Sequence, residues 1–295
     1  MSRLFTLFFL AFGLPVSAAE PTTVKVAAVQ CSSDLGDVAG NTKKLTKLVK
    51  EAAKNGAKIV VLPETAVTGY LSQDLKTNWH LKGWPIDKAY QGKDPSDAAE
   101  AIDGPSVKQF RALAKELGIY LTIPFMEVDT RRDGPRYFNT VCLANPKGEL
   151  VAHYRKLTPW PLPEQSWATP GDRGVQTYDT EYGRVGLGIC FDIHTILEKY
   201  DGKGVWTLLY PIAWVDTEHP AEWFLHKLPE RVKPFKLNVV GANWSVDEKP
   251  KWRGYGFSEI ISNEGKILAS AKSLHGSEIV YAELPVAVKP SKVKK

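Results

Sequence analysis

Residues 58–64 read Lys58-Ile59-Val60-Val61-Leu62-Pro63-Glu64, a short aliphatic run that ends abruptly at a proline and a carboxylate. A run of this length and composition, rich in β-branched residues, is typical of a buried strand. The stretch therefore predicts a buried strand that carries Glu64 immediately beyond its carboxyl end.

The residues before this strand predict a strand and then a helix. Residues 24–30 form another β-type run, Val24-Lys25-Val26-Ala27-Ala28-Val29-Gln30. A helix is expected from Asn41 as N-cap to Gly56 as C-cap. Its apolar face has helical spacing and consists of Leu45, Leu48, Val49 and Ala52. Strand, helix and strand in this order indicate an α/β layer architecture.

The residues after this strand continue the mixture of helices and strands. A second helix is expected from Pro105 to Gly118. Further strands are expected at 119–125, 139–144, 150–154, 175–180, 184–189, 208–212, 238–243, 257–261 and 267–271. Because no low-complexity linker interrupts this pattern, we expect one domain over residues 20–286. An aromatic insertion between Tyr70 and Gly104 is expected to form a packed cover.

The two termini carry signals of their own. Arg3 precedes an apolar stretch at residues 4–14, and small residues follow at 16–19. This pattern predicts a signal peptide over residues 1–19, and hence a secreted or periplasmic protein with no stable membrane insertion after cleavage. Residues 287–295 are rich in lysine and lack apolar periodicity, so we expect a disordered basic tail.

Composition excludes several classes of function. The formal net charge is only +5 and the basic residues are interspersed with acids, which argues against a nucleic-acid surface. The 3 cysteines include no Cys-x-x-Cys pair, and the 6 histidines show no ligand spacing. We therefore expect no metal and no cofactor, and at least one unpaired thiol.

Cys190 is the first candidate for chemistry. It ends a β-type run that contains Gly186 and Gly188, and polar residues follow it. A nucleophile on a tight turn at a strand end projects above the sheet, where the backbone N–H of Phe191 faces a developing oxyanion. A lone cysteine is more often a buried core residue. A thiol also needs a neighbouring base or cation to react at neutral pH.

Glu64 and Lys156 are the candidate partners of this thiol. Each directly follows a predicted strand, and strand ends in an α/β sheet gather at one rim where sites form. Either residue taken alone is better explained as a solvated loop charge. His194 is close to Cys190 in sequence but lies beyond the turn.

Taken together, these motifs resemble the nitrilase superfamily of carbon–nitrogen hydrolases, whose catalytic set is Glu-Lys-Cys. The resemblance spans the segments 26–30, 62–70, 138–140, 154–157, 183–186, 190–193, 211–214 and 239–243. It implies a four-layer α-β-β-α sandwich with Cys190 as nucleophile, Glu64 as base and Lys156 as charge stabiliser. It also implies that Glu127 orients the substrate, and we place Glu127 ahead of Glu164 in this role.

Segments 190–193 and 211–214 are most similar to the secreted vanin and biotinidase branch of that superfamily. The resemblance thus implies an exported amidase that cleaves a small, non-peptide amide, with a possible homodimer. The chain departs from that branch because it stops at 295 residues and has few cysteines. Three tryptophans, which have ordinary packing as the alternative, are expected to line the substrate pocket: Trp79, Trp160 and Trp214.

Three alternatives stay open at this point. The first is a nitrilase, which keeps the fold and the thiol but acts on nitriles. The second is an N-acyltransferase, which passes the acyl group to an amine; the lack of further apolar spans argues against the membrane-embedded form of that enzyme. The third is a non-catalytic binding or redox protein that retains the fold.

Overall fold

The computed structural model describes residues 22–34, 36–70, 95–161, 164–214, 220–245 and 256–287. The predicted signal peptide at 1–19, the basic tail from 288 onward and Trp79 lie outside the described residues. The described residues contain no helix that is long and apolar enough to cross a bilayer.

Two mixed β-sheets of six strands each organise the described residues. The first sheet has the order β12-β1-β2-β3-β4-β5. Its strands are β1 (Thr23–Gln30), β2 (Ile59–Val61), β3 (Tyr120–Arg131), β4 (Gly134–Ala144), β5 (Leu150–Arg155) and β12 (Glu278–Pro285). The strand β2 lies parallel to β1 and β3, so the aliphatic run at 58–62 is confirmed as a central strand.

The second sheet has the order β11-β10-β9-β8-β7-β6. Its strands are β6 (Thr177–Asp179), β7 (Arg184–Leu187), β8 (Thr207–Pro211), β9 (Asn238–Ala242), β10 (Glu259–Ile261) and β11 (Ile267–Ser270). The central strands β7, β8 and β9 run parallel, so their carboxyl ends share one edge. This edge carries Cys190, which follows β7.

Helices cover the outer faces of both sheets. Helices α1 (Val38–Lys54) and α2 (Pro105–Leu117) pack on the first sheet and share a core with Ala27 and Val60. The helical segments on the second sheet are α3 (Ile196–Tyr200), α4 (Pro220–Glu222), a π-helical turn (Trp223–Lys227) and α5 (Leu228–Val232). A separate core with Val26 and Leu208 joins the two sheets. The expected α/β architecture with helices outside two stacked sheets is therefore confirmed.

The start of α1 differs from the prediction. The helix begins at Val38, and its N-cap is Asp37, whose carboxylate accepts the Gly40 N–H at 2.9 Å. Asn41 lies inside the first turn and is buried, and its side chain bonds both backbone groups of Asp34 at 2.8 Å. Asn41 thus holds the preceding loop instead of capping the helix.

Candidate active site

Glu64 lies just beyond β2 and is 1% exposed. Its backbone N–H donates to the carbonyl of Ile212 at 3.3 Å, and its own carbonyl accepts the indole N–H of Trp244 at 2.7 Å. Ile212 and Trp244 follow β8 and β9 of the second sheet. Glu64 therefore follows a strand of the first sheet, and hydrogen bonds made by its backbone fix it to the second sheet.

Lys156 lies just beyond β5 and is also 1% exposed. Its ammonium donates to Glu64 Oε1 at 2.8 Å and to Glu164 Oε2 at 2.6 Å. Burial alone would lower the pKa of Lys156, but the carboxylates of Glu164 and Glu64 outweigh burial and raise that pKa. Lys156 therefore stays protonated, and it supplies one fixed positive charge between two carboxylates.

Glu164 and Asn139 complete this buried group. Asn139, on β4, donates from Nδ2 to Glu64 Oε1 at 2.7 Å and to Glu164 Oε1 at 2.6 Å. Glu164 begins a short 3₁₀ turn. Its carboxylate also accepts hydrogen bonds from the backbone N–H of Trp160, at 2.7 Å, and from Tyr70. We define these four residues, Glu64, Asn139, Lys156 and Glu164, as the carboxylate cluster.

Cys190 lies on the second sheet, three residues past β7, and is 9% exposed. It has a left-handed φ of 43°, an unfavourable conformation for a side chain with a Cβ. Tyr210 holds this conformation by donating its hydroxyl to the Cys190 carbonyl at 2.6 Å. The backbone N–H of Ala213 hydrogen-bonds the thiol. The expected tight turn at the nucleophile is therefore present.

Asp192 anchors the turn that carries Cys190. Its buried carboxylate accepts the Tyr154 hydroxyl at 2.6 Å, the Thr158 N–H at 2.9 Å and the Ile189 N–H at 3.2 Å. Burial raises the pKa of Asp192 to about 7, against the opposing effects of Lys156 and these donors. Since Tyr154 lies on β5, Asp192 ties the cysteine turn to the segment that carries Lys156.

Electrostatics set the resting protonation of the thiol. Burial and the Glu64 carboxylate raise the pKa of Cys190 well above its usual value, although Lys156 opposes them. Burial also raises the pKa of Glu64, with Lys156 lowering it and Glu164 raising it. Cys190 therefore rests as a neutral thiol, and it needs a base at the moment of attack.

Glu127 lies in a different group from the one that was expected. Its carboxylate accepts hydrogen bonds from Arg155 Nη2 at 2.6 Å and from Thr140 Oγ1 at 2.7 Å. A ring nitrogen of His153 lies 2.7 Å from the same carboxylate. Arg155 in turn stacks over the Phe138 ring at 3.9 Å. The geometry thus reverses the predicted order of the two glutamates, because Glu164 contacts Lys156 whereas Glu127 binds the neighbouring arginine.

Replacing Glu127 by glutamine should destabilise the fold at neutral pH. Burial raises the pKa of Glu127, but hydrogen bonds from His153 and Arg155 outweigh it and lower the pKa from 4.5 to about 2. At about 1.4 kcal/mol per pKa unit, the charged form contributes about 3 kcal/mol to the free energy of unfolding. This contribution is complete above pH 4.5 and is lost as the pH falls toward 2. Urea unfolding of both proteins at pH 7 and pH 3 measures the difference, which should shrink at pH 3.

Of the aromatic residues predicted for the site, Phe191, Trp160 and Trp214 lie in the described part of the chain, near the cysteine turn and the carboxylate cluster. Trp214 follows Ala213 and stacks on Trp223 with ring centroids 4.7 Å apart, and the ring of Phe191 lies 4.9 Å from that of His194. Trp160 packs against a small core that includes Trp167. Trp214 and Phe191 thus flank the cysteine turn, and Trp160 flanks Glu164.

The three thiols are unpaired, and Cys31 and Cys142 are both fully buried. Burial raises the pKa of Cys31 to about 12 and that of Cys142 well above its usual value. Among the residues that the structure describes, no group of three or more His, Cys, Asp or Glu side chains is placed to hold a metal ion.

Comparison with known proteins finds omega-amidases among the relatives of this chain. The human omega-amidase NIT2 is 31% identical over 259 residues, which cover 83% of this chain and 82% of the relative. The omega-amidase NIT2-B of Xenopus laevis is 31% identical over 246 residues, with 78% of each chain covered. These relatives are not vanins or biotinidases, which corrects the expected placement in that secreted branch.

Solved structures share the fold. Nit3 of Saccharomyces cerevisiae, a member of branch 10 of the nitrilase superfamily, has a TM-score of 0.72 at 27% identity, covering 91% of this chain and 93% of its own. An amidase from Nesterenkonia sp. has a TM-score of 0.72 at 18% identity, covering 90% and 92%. The carbon–nitrogen hydrolase family matches residues 25–290. Since that match spans most of the sequence, the chain belongs to the carbon–nitrogen hydrolase family.

Proposed function

We propose that this carbon–nitrogen hydrolase cleaves a small non-peptide amide through a thioester on Cys190, with Glu64 as base and Lys156 as charge stabiliser. The carboxylate cluster is the observation that carries the proposal. Its lysine is buried between two carboxylates, and one of these, Glu64, acts directly on the pKa of the Cys190 thiol. Buried charges with perturbed pKa values beside a strained cysteine are typical of a nucleophilic site.

In the first half of the reaction, Glu64 takes the thiol proton while sulfur attacks the carbonyl carbon of the amide. The carbonyl oxygen becomes an oxyanion, and Lys156 and the backbone N–H of Phe191 stabilise it. When the tetrahedral intermediate collapses, its carbon–nitrogen bond breaks. The amine leaves with the proton that Glu64 had taken, so that a thioester and an ionised Glu64 remain.

In the second half, Glu64 takes a proton from water, whose oxygen attacks the thioester carbonyl. Collapse of this intermediate releases the carboxylic acid, and the sulfur recovers its proton from Glu64. Glu164 touches neither reacting atom in this scheme. It accepts a hydrogen bond from the Lys156 ammonium at 2.6 Å and therefore acts as a positioning residue.

Primary amides are the substrates to test first, because the relatives at 31% identity are named omega-amidases. Release of ammonia should be measured on aliphatic and aromatic amides beside the matching nitriles. Intact-protein mass spectrometry during turnover should show wild-type protein increased by the acyl group, and no adduct on Cys190→Ala. Turnover of nitriles alone would favour the nitrilase alternative. Activity retained by Cys190→Ala would overturn the proposal.

We also propose that the enzyme is exported. The support is the pattern of residues 1–19, where Arg3 precedes an apolar stretch and small residues follow. Expression of the full chain with N-terminal sequencing of the recovered protein tests this proposal. A mature chain that begins near Glu20 in the extracytoplasmic fraction is the expected result. An intact N-terminus in the cytoplasmic fraction would contradict it.

A further inference from the structure

The two oxygens of the Glu64 carboxylate have different surroundings. Oε1 accepts two hydrogen bonds, from Asn139 at 2.7 Å and from Lys156 at 2.8 Å. Oε2 is fully buried and has no hydrogen-bond partner among the residues that the structure describes. A buried acceptor without a partner costs free energy, and such atoms in native proteins call for an explanation. The unpartnered oxygen belongs to the residue that acts on the Cys190 thiol.

We propose that Asn139 is a positioning residue that assigns the two oxygens of Glu64 separate tasks. Asn139 and Lys156 occupy Oε1, so that Oε2 is the atom that takes the proton from Cys190. This inference rests on the proposed function, because it presupposes that Glu64 is the base. It adds the identity of the reacting oxygen and a residue that selects it.

The chemistry of a carboxamide suits this position. Glu64 and Glu164 repel each other, and Lys156 supplies only one positive charge between them. The amide nitrogen of Asn139 has two N–H bonds and gives one to each carboxylate, at 2.7 and 2.6 Å. Because both carboxylates are acceptors, the amide atom that lies between them is the donor Nδ2 and not the oxygen Oδ1. The neutral amide of Asn139 therefore bridges the two carboxylates. It adds no charge to the cluster and no acidic proton.

The backbone holds Asn139 in place independently of its side chain. Asn139 lies within β4, opposite Met126 on β3, and its carbonyl accepts the backbone N–H of Lys156 at 2.8 Å. Asn139 thus positions the backbone of Lys156 through its carbonyl and the carboxylate of Glu64 through its side chain. Replacing the side chain leaves this backbone bond intact.

The variant Asn139→Leu has a similar volume but donates no hydrogen bond. Because the Asn139 donor lowers the pKa of Glu64, its loss should raise that pKa. A hydrogen bond to a charged group is typically strong enough to move the acid limb of reactivity upward by about one pH unit or more. On the acid limb, below the pKa of Glu64, kcat should fall by about ten-fold or more, with KM changing much less, since Asn139 contacts the two carboxylates.

The test uses the rate at which iodoacetamide alkylates each cysteine between pH 5 and pH 9, followed by peptide mass spectrometry. This readout needs no known substrate, and the buried Cys31 and Cys142 serve as internal references. Asn145→Ala is the matched control, because Asn145 is a buried asparagine just beyond the carboxyl end of β4 and donates to Glu149 at 2.7 Å. Asn139→Ser keeps one donor and should give an intermediate shift; it replaces the leucine variant if that protein does not fold.

The outcomes separate the two proposals. An upward shift of the acid limb for Asn139→Leu, with none for Asn145→Ala, supports the inference. Fast alkylation of Cys190 with the same pH dependence in the wild type and in both Asn139 variants overturns the inference alone. Alkylation of wild-type Cys190 no faster than that of Cys31 and Cys142 overturns the proposed function itself.

Discussion

Replacing Glu64 by glutamine should lower kcat/KM on every accepted amide by about 10²–10⁴-fold, the usual contribution of a general base. Glutamine fills the same space and still accepts from Asn139 and Lys156, but its amide takes no proton from the thiol. Burial, the largest cause of the raised pKa of Cys190, remains in this variant although the contribution of the Glu64 carboxylate is lost, so very little thiolate forms without the base. Ammonia release and the rate of Cys190 alkylation should therefore fall together in this variant.

Glu259→Gln is the matched control for Glu64→Gln. Glu259 is a buried glutamate on β10, and within the described part of the chain neither of its carboxyl oxygens has a hydrogen-bond partner. Burial raises its pKa well above the usual value. Glutamine reproduces the neutral form that this burial favours, so the control should retain wild-type kcat/KM. Retention of more than a tenth of wild-type activity by Glu64→Gln would rule out Glu64 as the base.

Replacing Lys156 by methionine should damage both turnover and stability. The loss of a fixed oxyanion donor typically costs about 10²–10³ in kcat. The fold should also lose about 3–5 kcal/mol in the free energy of unfolding, because two buried carboxylates are left without their cation. Urea unfolding at pH 7 and ammonia release on the same preparations measure the two effects.

A double variant separates these two effects of Lys156. Adding Glu164→Gln to Lys156→Met removes one of the two uncompensated carboxylates, so part of the lost stability should return. Turnover should not return, because the donor to the oxyanion is still missing. If the double variant were no more stable than Lys156→Met, the ion pair between Lys156 and Glu164 would not be a main source of the effect.

Hydrophobic patterns predicted the elements that bury one clear face. The run at 58–62 and the helix from Pro105 to Gly118 are present, and Gly118 has the left-handed φ of 62° expected of a helix C-cap. The strand β12 was not predicted as an element, because only two of its 8 residues are buried and they show no alternation. The start of α1 was misplaced, because Asp37 and Asn41 are both good capping residues and only loop contacts distinguish them.

The positions of the candidate site residues were predictable where a charged or nucleophilic side chain follows a strand. Glu64, Lys156 and Cys190 each follow one, and their strands bring Glu64 and Lys156 together on one sheet. Asn139 lies inside a buried strand and Glu164 in a short turn, so neither has a local pattern that indicates its partner. The segment 138–140 was a recognised family motif, and this was the available signal for Asn139.

The site is divided between the two sheets, and this has a consequence for how the sequence evolves. The carboxylate cluster belongs to the first sheet and its connections, whereas Cys190 and Ala213 follow strands of the second. Neither sheet alone carries a complete set of reacting groups. The residues that join the sheets, such as Val26 and Leu208 in their shared core, therefore set the distance between thiol and base. Substitutions there come under selection for catalysis as well as for folding, although they lie far from the chemistry in sequence.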